Sequence, residues 1–206
     1  MAEMAEILPG RREKRKQEIR GRIERAAYTL FKRKGIEATS IEQICMGADV
    51  ARRTFYGHYP NKHALLQSLS RARVWGTVDA LLQEIMDNHE ATSHRLSAMI
   101  NTMKQNISGY EAIDRALILI TPSSSEDENH LRDVSDTLKD QLRHIFEIGQ
   151  KSGDTTGNYS ADLLAEMVVG TTNTLLMSWA VDTGYPIFDK LEEARLMFNQ
   201  VICTDT

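Results

Sequence analysis

Apolar residues recur at helical spacing along almost the whole chain, and no stretch reads as a strand. Ile19, Ile23, Ala26, Ala27, Leu30 and Phe31 form one face of a first helix. Gly35 ends it as a left-handed cap, with Lys32, Arg33 and Lys34 in the last turn beside the negative end of the dipole. Thr39-Ser40-Ile41-Glu42 suits a capping box with Thr39 as N-cap and Glu42 reaching back; Ser40 is the alternative cap. A short second helix is expected at about 40–47, with Ile41, Ile44 and Cys45 inward. Gly47-Ala48-Asp49-Val50 reads as a turn, and a third short helix covers about 51–57. Pro60-Asn61 breaks it, and one long helix is expected from Asn61 to about Asn88.

Beyond residue 90 the period stays helical. Leu96, Met99, Ile100, Met103 and Ile107 define one helix, and residues 110–120 another. Within the latter, Leu117 to Ile120 is apolar all round and should be central. Pro122 and three serines interrupt the chain, and Ser125 with Glu128 can cap a helix that carries Leu131, Val134, Leu138, Leu142, Ile145 and Phe146. Residues 152–159 read as a loop, Ser160 opens a helix to about Asp182, and Asp189 with Glu192 can cap a last helix to about Cys203. The expected fold class is all-α, with about nine helices.

The composition agrees. A chain of 206 residues with 41% hydrophobic and 26% charged residues is soluble and globular, long enough for one core or for a small domain fused to a larger one. The net charge of −4 hides a division: residues 10–75 sum to +10 and the remainder to −14. A basic segment on an acidic body suggests that one end meets a polyanion; the plainer alternative is a solvated helix face. Cys45 and Cys203 match no metal-ligand spacing, which implies a reduced, cytoplasmic protein and no metal. The N-terminus lacks a signal-peptide core. The longest charge-free apolar stretch, Met167 to Val181, falls short of the roughly 20 residues of a membrane span, so no membrane partner is expected.

The chemistry lies near the N-terminus. A short helix, a tight turn and a second short helix packed on a third is the helix-turn-helix arrangement, whose second short helix enters a major groove about 12 Å wide. That helix reads from Ala51 to Tyr59. Val50 and Phe55 are spaced to plug a small core, and Arg52, Arg53, Thr54, Tyr56 and His58 supply donors. Gly57 lets the backbone approach a phosphate.

On these residues the stretch from Gln17 to about Leu69 resembles the DNA-binding domain of the TetR family of transcriptional regulators. Ile23, Ala26, Ala27, Leu30, Phe31, Gly35, Thr39-Ser40-Ile41, Ile44, Ala48, Val50, Thr54-Phe55-Tyr56, His58-Tyr59, Lys62 and Leu65 carry the resemblance, in order, over about a quarter of the chain. It departs at Asp49, where glycine is usual, and at Ala51, where a serine cap is usual. The resemblance implies three regions: a flexible basic arm at 1–14, a helix-turn-helix domain at 15–60, and a helical effector-binding and dimerisation domain at 61–206. It implies phosphate contacts from Thr54, Tyr56 and Lys62 and from the region of Thr39 and Ser40, a backbone or structural role for His58, and base reading by Arg52 or Arg53.

The same resemblance implies a homodimer formed by the last two helices, with Leu164, Val168, Thr171, Leu175 and Ser178 on the shared face, although that face can equally pack inside one subunit. It also implies no cofactor but a small apolar or amphipathic effector. For its pocket, Met99 and Met103 are adaptable linings, and Asn106, Tyr110, His144, Asn173 and Trp179 are the candidate orienting groups. The expected activity is operator binding and repression, relieved by the effector. An architectural DNA-binding protein on the same fold is the alternative. No GxSxG, Walker loop, HExxH or CxxC occurs, and the six histidines are scattered, so no enzyme is expected.

Overall fold

The computed structural model describes residues 10–76, 78–120 and 125–204, with side chains for all of these except 75, 78–80 and 125–135. The described residues form ten α-helices and one π-helical turn, with no strand beyond an isolated antiparallel bridge between Thr155 and Cys203. The chain divides into two compact units, one ending at Leu69 and one beginning at Ser70.

The N-terminal unit holds α1 (Arg11–Lys34), α2 (Ile41–Ala48), α3 (Arg52–His58) and most of α4 (Lys62–Ser70). Ile23, Ala27 and Phe31, four residues apart on α1, are buried against Ile44, Cys45 and Ala48 of α2 and Phe55 of α3. Leu65, Leu66 and Leu69 of α4 complete the buried set, which is why the unit extends past the boundary expected at residue 60. Residues 11–14, expected within a flexible arm, are instead the first part of α1; residues 1–9 of that arm lie outside the described residues.

The long helix expected from 61 to 88 is interrupted. After α4 the backbone widens into a π-helical turn (Arg71–Trp75), and α5 begins afresh (Val78–Asn88). Gly76 marks the break: a Cβ there would lie 3.0 Å from the Ala72 carbonyl oxygen and 3.2 Å from that of Arg71. The apolar period runs through this point unbroken and gives no sign of it.

The C-terminal unit adds α6 (Thr92–Ser108), α7 (Ala112–Ile118), α8 (Ser125–Ser152), α9 (Ala161–Val181) and α10 (Ile187–Ile202). The helix α9 packs on α7, α8 and α10, and buries Leu164, Ala165, Val168, Leu176 and Trp179. Leu96 and Ile100 of α6, Leu142 and Phe146 of α8, and Leu191 and Phe198 of α10 close the same core. Capping follows the sequence at Ser160, whose hydroxyl accepts from the Leu163 amide at 3.2 Å. The last helix starts earlier than expected, directly after Pro186, with Asp189 in its first turn. The expected Ser125–Glu128 cap, and Leu131 and Val134, fall among side chains outside those described.

The start of α6 is held from a distance. Asp154, in the α8–α9 loop, accepts from the Thr92 amide and the Thr92 hydroxyl, each at 2.9 Å. The bonds outweigh the burial that would raise its pKa, and its carboxyl is lowered. Gly149 of α8 makes room for this junction: a Cβ there would lie 2.5 Å from the Asp154 carboxylate and from the Thr92 hydroxyl, and closer still to that of Thr155.

Candidate nucleic-acid interface

The α1–α2 connection is fixed from both sides. Thr39 is buried and its hydroxyl donates to the Gly35 carbonyl at 2.8 Å, so that hydroxyl serves the turn. Ser40, not Thr39, is the N-cap of α2, and Gln43, not Glu42, is its capping-box partner. Both exchanges of the box are present, at 3.3 Å from the Gln43 amide and 3.2 Å from the Ser40 amide. The Lys62 ammonium crosses from α4 to donate to the carbonyls of Ile36 (2.8 Å) and Thr39 (3.3 Å).

The turn into α3 uses the permissive geometry of aspartate. Asp49 sits in the left-handed region at φ 51°, ψ 55°, the one non-glycine residue with positive φ among those described. Arg22 of α1 holds it there, donating to its backbone carbonyl at 2.7 Å and to its carboxylate at 3.0 Å. Ala51 follows as an N-cap with no side-chain bond, as its chemistry requires.

The third helix is then sorted by its seating. Phe55 is fully buried and Tyr59 is 4% exposed, whereas Tyr56 is 48% exposed and Arg52 and Arg53 face solvent. Thr54 and His58 are half-buried beside them. Burial, with Lys16 and Arg20 nearby, lowers the pKa of His58, so its neutral form is favoured. Arg52 is paired with Glu42 of α2, while Arg53 has no ion-pair partner among the described residues. Nothing stands within 4 Å of a Cβ built on Gly57, which leaves that backbone open.

A network behind α3 sets its position. Glu24 of α1 accepts from Tyr59 (2.7 Å), Ser68 of α4 (2.7 Å) and Arg20 (3.1 Å), all on one carboxylate oxygen. Burial raises the Glu24 carboxyl, but these bonds pull harder and its pKa is lowered. Burial and the Glu24 charge push Tyr59 up to about 12, against the pull of Ser68. A groove of about 390 Å³ along α1 and α2 adds Arg22, Arg25 and Arg33 to the positive side of this unit.

The family described as "Bacterial regulatory proteins, tetR family" matches this unit over residues 23–69. Over these residues the N-terminal unit is similar to the DNA-binding domain of the TetR family. A curated relative is the biofilm operon icaADBC HTH-type negative transcriptional regulator IcaR of Staphylococcus epidermidis. It is 23% identical over 128 residues, which span 59% of this chain and 65% of that protein. Among solved structures, NalD, the secondary repressor of the MexAB-OprM multidrug efflux pump of Pseudomonas aeruginosa, has a TM-score of 0.70 at 16% identity, covering 93% of this chain and 100% of that one. SmeT, the repressor of the Stenotrophomonas maltophilia efflux pump SmeDEF, reaches 0.69 at 19% identity, with 90% and 91% covered. FadR of Bacillus subtilis, solved with stearoyl-CoA, reaches 0.68 at 19% identity, with 86% and 96% covered. At these identities the structural likeness establishes the fold.

The C-terminal unit holds a partly open cavity of about 120 Å³. Met99, Met103, Asn106 and Tyr110 line it from α6 and its end, and Asn173 from α9. Two other candidates lie elsewhere. His144 is exposed, because its side of α8 turns away from the core. Trp179 is buried and is not part of the lining, with its ring centroid 6.1 Å from that of Tyr110 and the Arg115 guanidinium 4.0 Å over its ring. Val74, Leu81, Leu82 and Leu138 also line it; no sequence spacing links them, since they come from three separate segments. Among the described residues no cluster could hold a metal ion, and no helix is long and apolar enough to cross a membrane.

The expected dimer face needs correction. Leu164 and Val168 are buried in the chain's own core, and Thr171, Leu175 and Ser178 are half-buried. The exposed apolar residues of α9 are Leu163, Met177 and Val181, and those of α10 are Phe188, Leu196, Met197 and Val201. On a helix one residue is a rotation of about 100°, and α9 is apolar on most sides, so periodicity alone did not say which stripe faces inward. Position 163, then 177 and 181, keep the helical phase and are the signal that was available.

Proposed function

We propose that this protein is a sequence-specific transcriptional repressor of the TetR family that binds operator DNA as a homodimer and is released by a small-molecule effector. The observation that carries the DNA-binding half is the division of α3: Phe55 and Tyr59 anchor it while Arg52, Arg53 and Tyr56 stand outward. Arginines on such a helix grip a guanine edge in two bonds, worth about 1–3 kcal/mol of discrimination. Tyr56, Thr54 and Lys62 are assigned to phosphates, with Ser40 beside them at the start of α2. Thr39 supports that turn from within. The repressor assignment is supported by the negative regulator IcaR and by NalD and SmeT.

The cavity in the C-terminal unit is assigned to the effector. The exposed apolar stripes of α9 and α10 are assigned to a second copy of the chain, and action on DNA places the protein in the cytoplasm. Effector and operator would favour different states, so each weakens the other by the same factor.

Purified protein titrated against the DNA flanking its own gene, at several salt concentrations, tests this. Tight binding to a palindrome whose half-sites lie about 34 Å apart is the expected result. Absence of binding on randomised DNA libraries would overturn it.

A further inference from the structure

The cavity in the C-terminal unit carries information about its ligand. We infer that it selects an uncharged, compact, mainly apolar molecule of about one ring, oriented by one or two polar atoms and not by an ion pair. This rests on the assignment of the cavity as the effector site.

Size comes first. A volume of about 120 Å³ is close to that of an engineered apolar cavity of about 150 Å³ that takes up benzene. The walls come second. Leu82, Ile107 and Leu176 are buried, Met99 and Met103 are half-buried, and none of the twelve described lining residues bears a formal charge. A charged guest would lose hydration with no counter-ion among the described lining residues, a cost that burial of an unpaired ion carries.

Arg73, Asp114 and Arg115 are engaged within the protein. Asp114 is fully buried and receives the Arg73 guanidinium at 2.7 Å. Arg115 covers Trp179 and donates to the Trp179 carbonyl at 2.6 Å. Neither arginine nor the aspartate lines the cavity.

The polar groups in the lining come third. Thr172 spends its proton on the Val168 carbonyl at 2.8 Å. The Tyr110 hydroxyl reaches the Arg73 carbonyl at only 3.5 Å, the long limit of a hydrogen bond, so its proton is available to a better acceptor. The Asn173 amide makes no hydrogen bond to any described residue. One hydroxyl donor and one amide suit a phenol, an alcohol or a carbonyl oxygen.

Trp179 behind Tyr110 supplies the readout. The chain has two tryptophans, so the full-length Trp75→Phe variant reports Trp179 alone. Its emission and its melting temperature would be followed with 4-ethylphenol, ethylbenzene, 4-ethylbenzoate, benzylammonium and decanoate. The expected result is saturable binding of 4-ethylphenol, with the three ions at least about tenfold weaker. Met103→Phe and, separately, Met99→Phe should fill the space and weaken 4-ethylphenol by about tenfold while still melting cooperatively. Asn173→Leu should weaken 4-ethylphenol but not ethylbenzene.

Equal or tighter binding of any of the ions overturns the inference. So does failure of every probe to bind, or undiminished binding by both filled variants. Operator DNA in the same titrations separates this from the regulatory reading. Selective 4-ethylphenol binding that leaves DNA affinity unchanged upholds the ligand class and removes the cavity's role in release. Release from DNA by an ion that binds the cavity does the reverse.

Discussion

The Tyr59 hydroxyl donates to the Glu24 carboxylate at 2.7 Å, joining the end of the exposed helix α3 to α1 across 35 residues of sequence. Ser68 and Arg20 bond the same oxygen, so α1, α3 and α4 share one half-buried acceptor. Tyr59→Phe leaves the ring in the core but removes one bond to a charged group, a loss of about 1.5–3 kcal/mol measurable by urea denaturation. DNA affinity should fall less than stability, since no surface donor is lost. An unchanged denaturation midpoint would show the bond to be energetically idle.

The pH dependence of stability follows from the same pair. Glu24 has a lowered pKa, so its contribution is present above the ordinary value of 4.5 and is lost as pH falls through the depressed folded value. Tyr59 is raised from 10 to about 12, so its contribution is intact below pH 10 and declines between there and about 12. Melting temperatures across pH should show both declines. Glu24→Gln should flatten the acid limb and Tyr59→Phe the alkaline one.

Lys62 has two possible duties that salt separates. Its ammonium already donates to the carbonyls of Ile36 and Thr39. If a remaining hydrogen also meets a phosphate, Lys62→Met should lower affinity for all sequences and reduce the salt slope by about one. A weakened melt with an unchanged slope would confine Lys62 to holding the α1–α2 connection.

Arg52 and Arg53 should differ. Glu42 holds Arg52 in one orientation, whereas no described carboxylate holds Arg53. Arg53→Ala and Arg52→Ala should each relax base preference by about 1–3 kcal/mol if each reads a base. Glu42→Gln should alter preference only at the base pair that Arg52 reads. Binding-site selection with the three variants checks this, and three identical selected sites would remove α3 from base reading.

Gly149→Ala should destabilise the C-terminal unit by about 1–3 kcal/mol, because its methyl group would press on Thr92, Asp154 and Thr155 together. Thermal melting measures this, and Gly170→Ala is the control, since nothing lies within 4 Å of its added Cβ. Equal melts for the two would mean that the α6 junction yields without cost.

Leu196→Glu on the exposed stripe of α10 should shift the protein toward monomer in sedimentation without a large change in secondary structure. Leu164→Ala should cost about 2–5 kcal/mol of stability and leave assembly alone, because Leu164 lies in the chain's own core. The opposite pattern would return the interface to the stripe through Leu164.

What the sequence determined by itself is local. The helices follow from an apolar period near 3.6, the αL turn from Asp49, and the order of elements from Gly35, Pro60 and the cap at Ser160. The seating of Phe55 was legible too, because its spacing from Val50 fixes a face on a short helix. Tertiary structure decided what depends on distant partners. Arg22 holding Asp49, Glu24 gathering Tyr59 and Ser68, and Asp154 capping α6 join residues far apart in sequence, where no period operates. The break at Gly76 and the inward stripe of α9 escaped for a related reason. An apolar pattern records how often a side chain faces something dry, and only packing says what that something is.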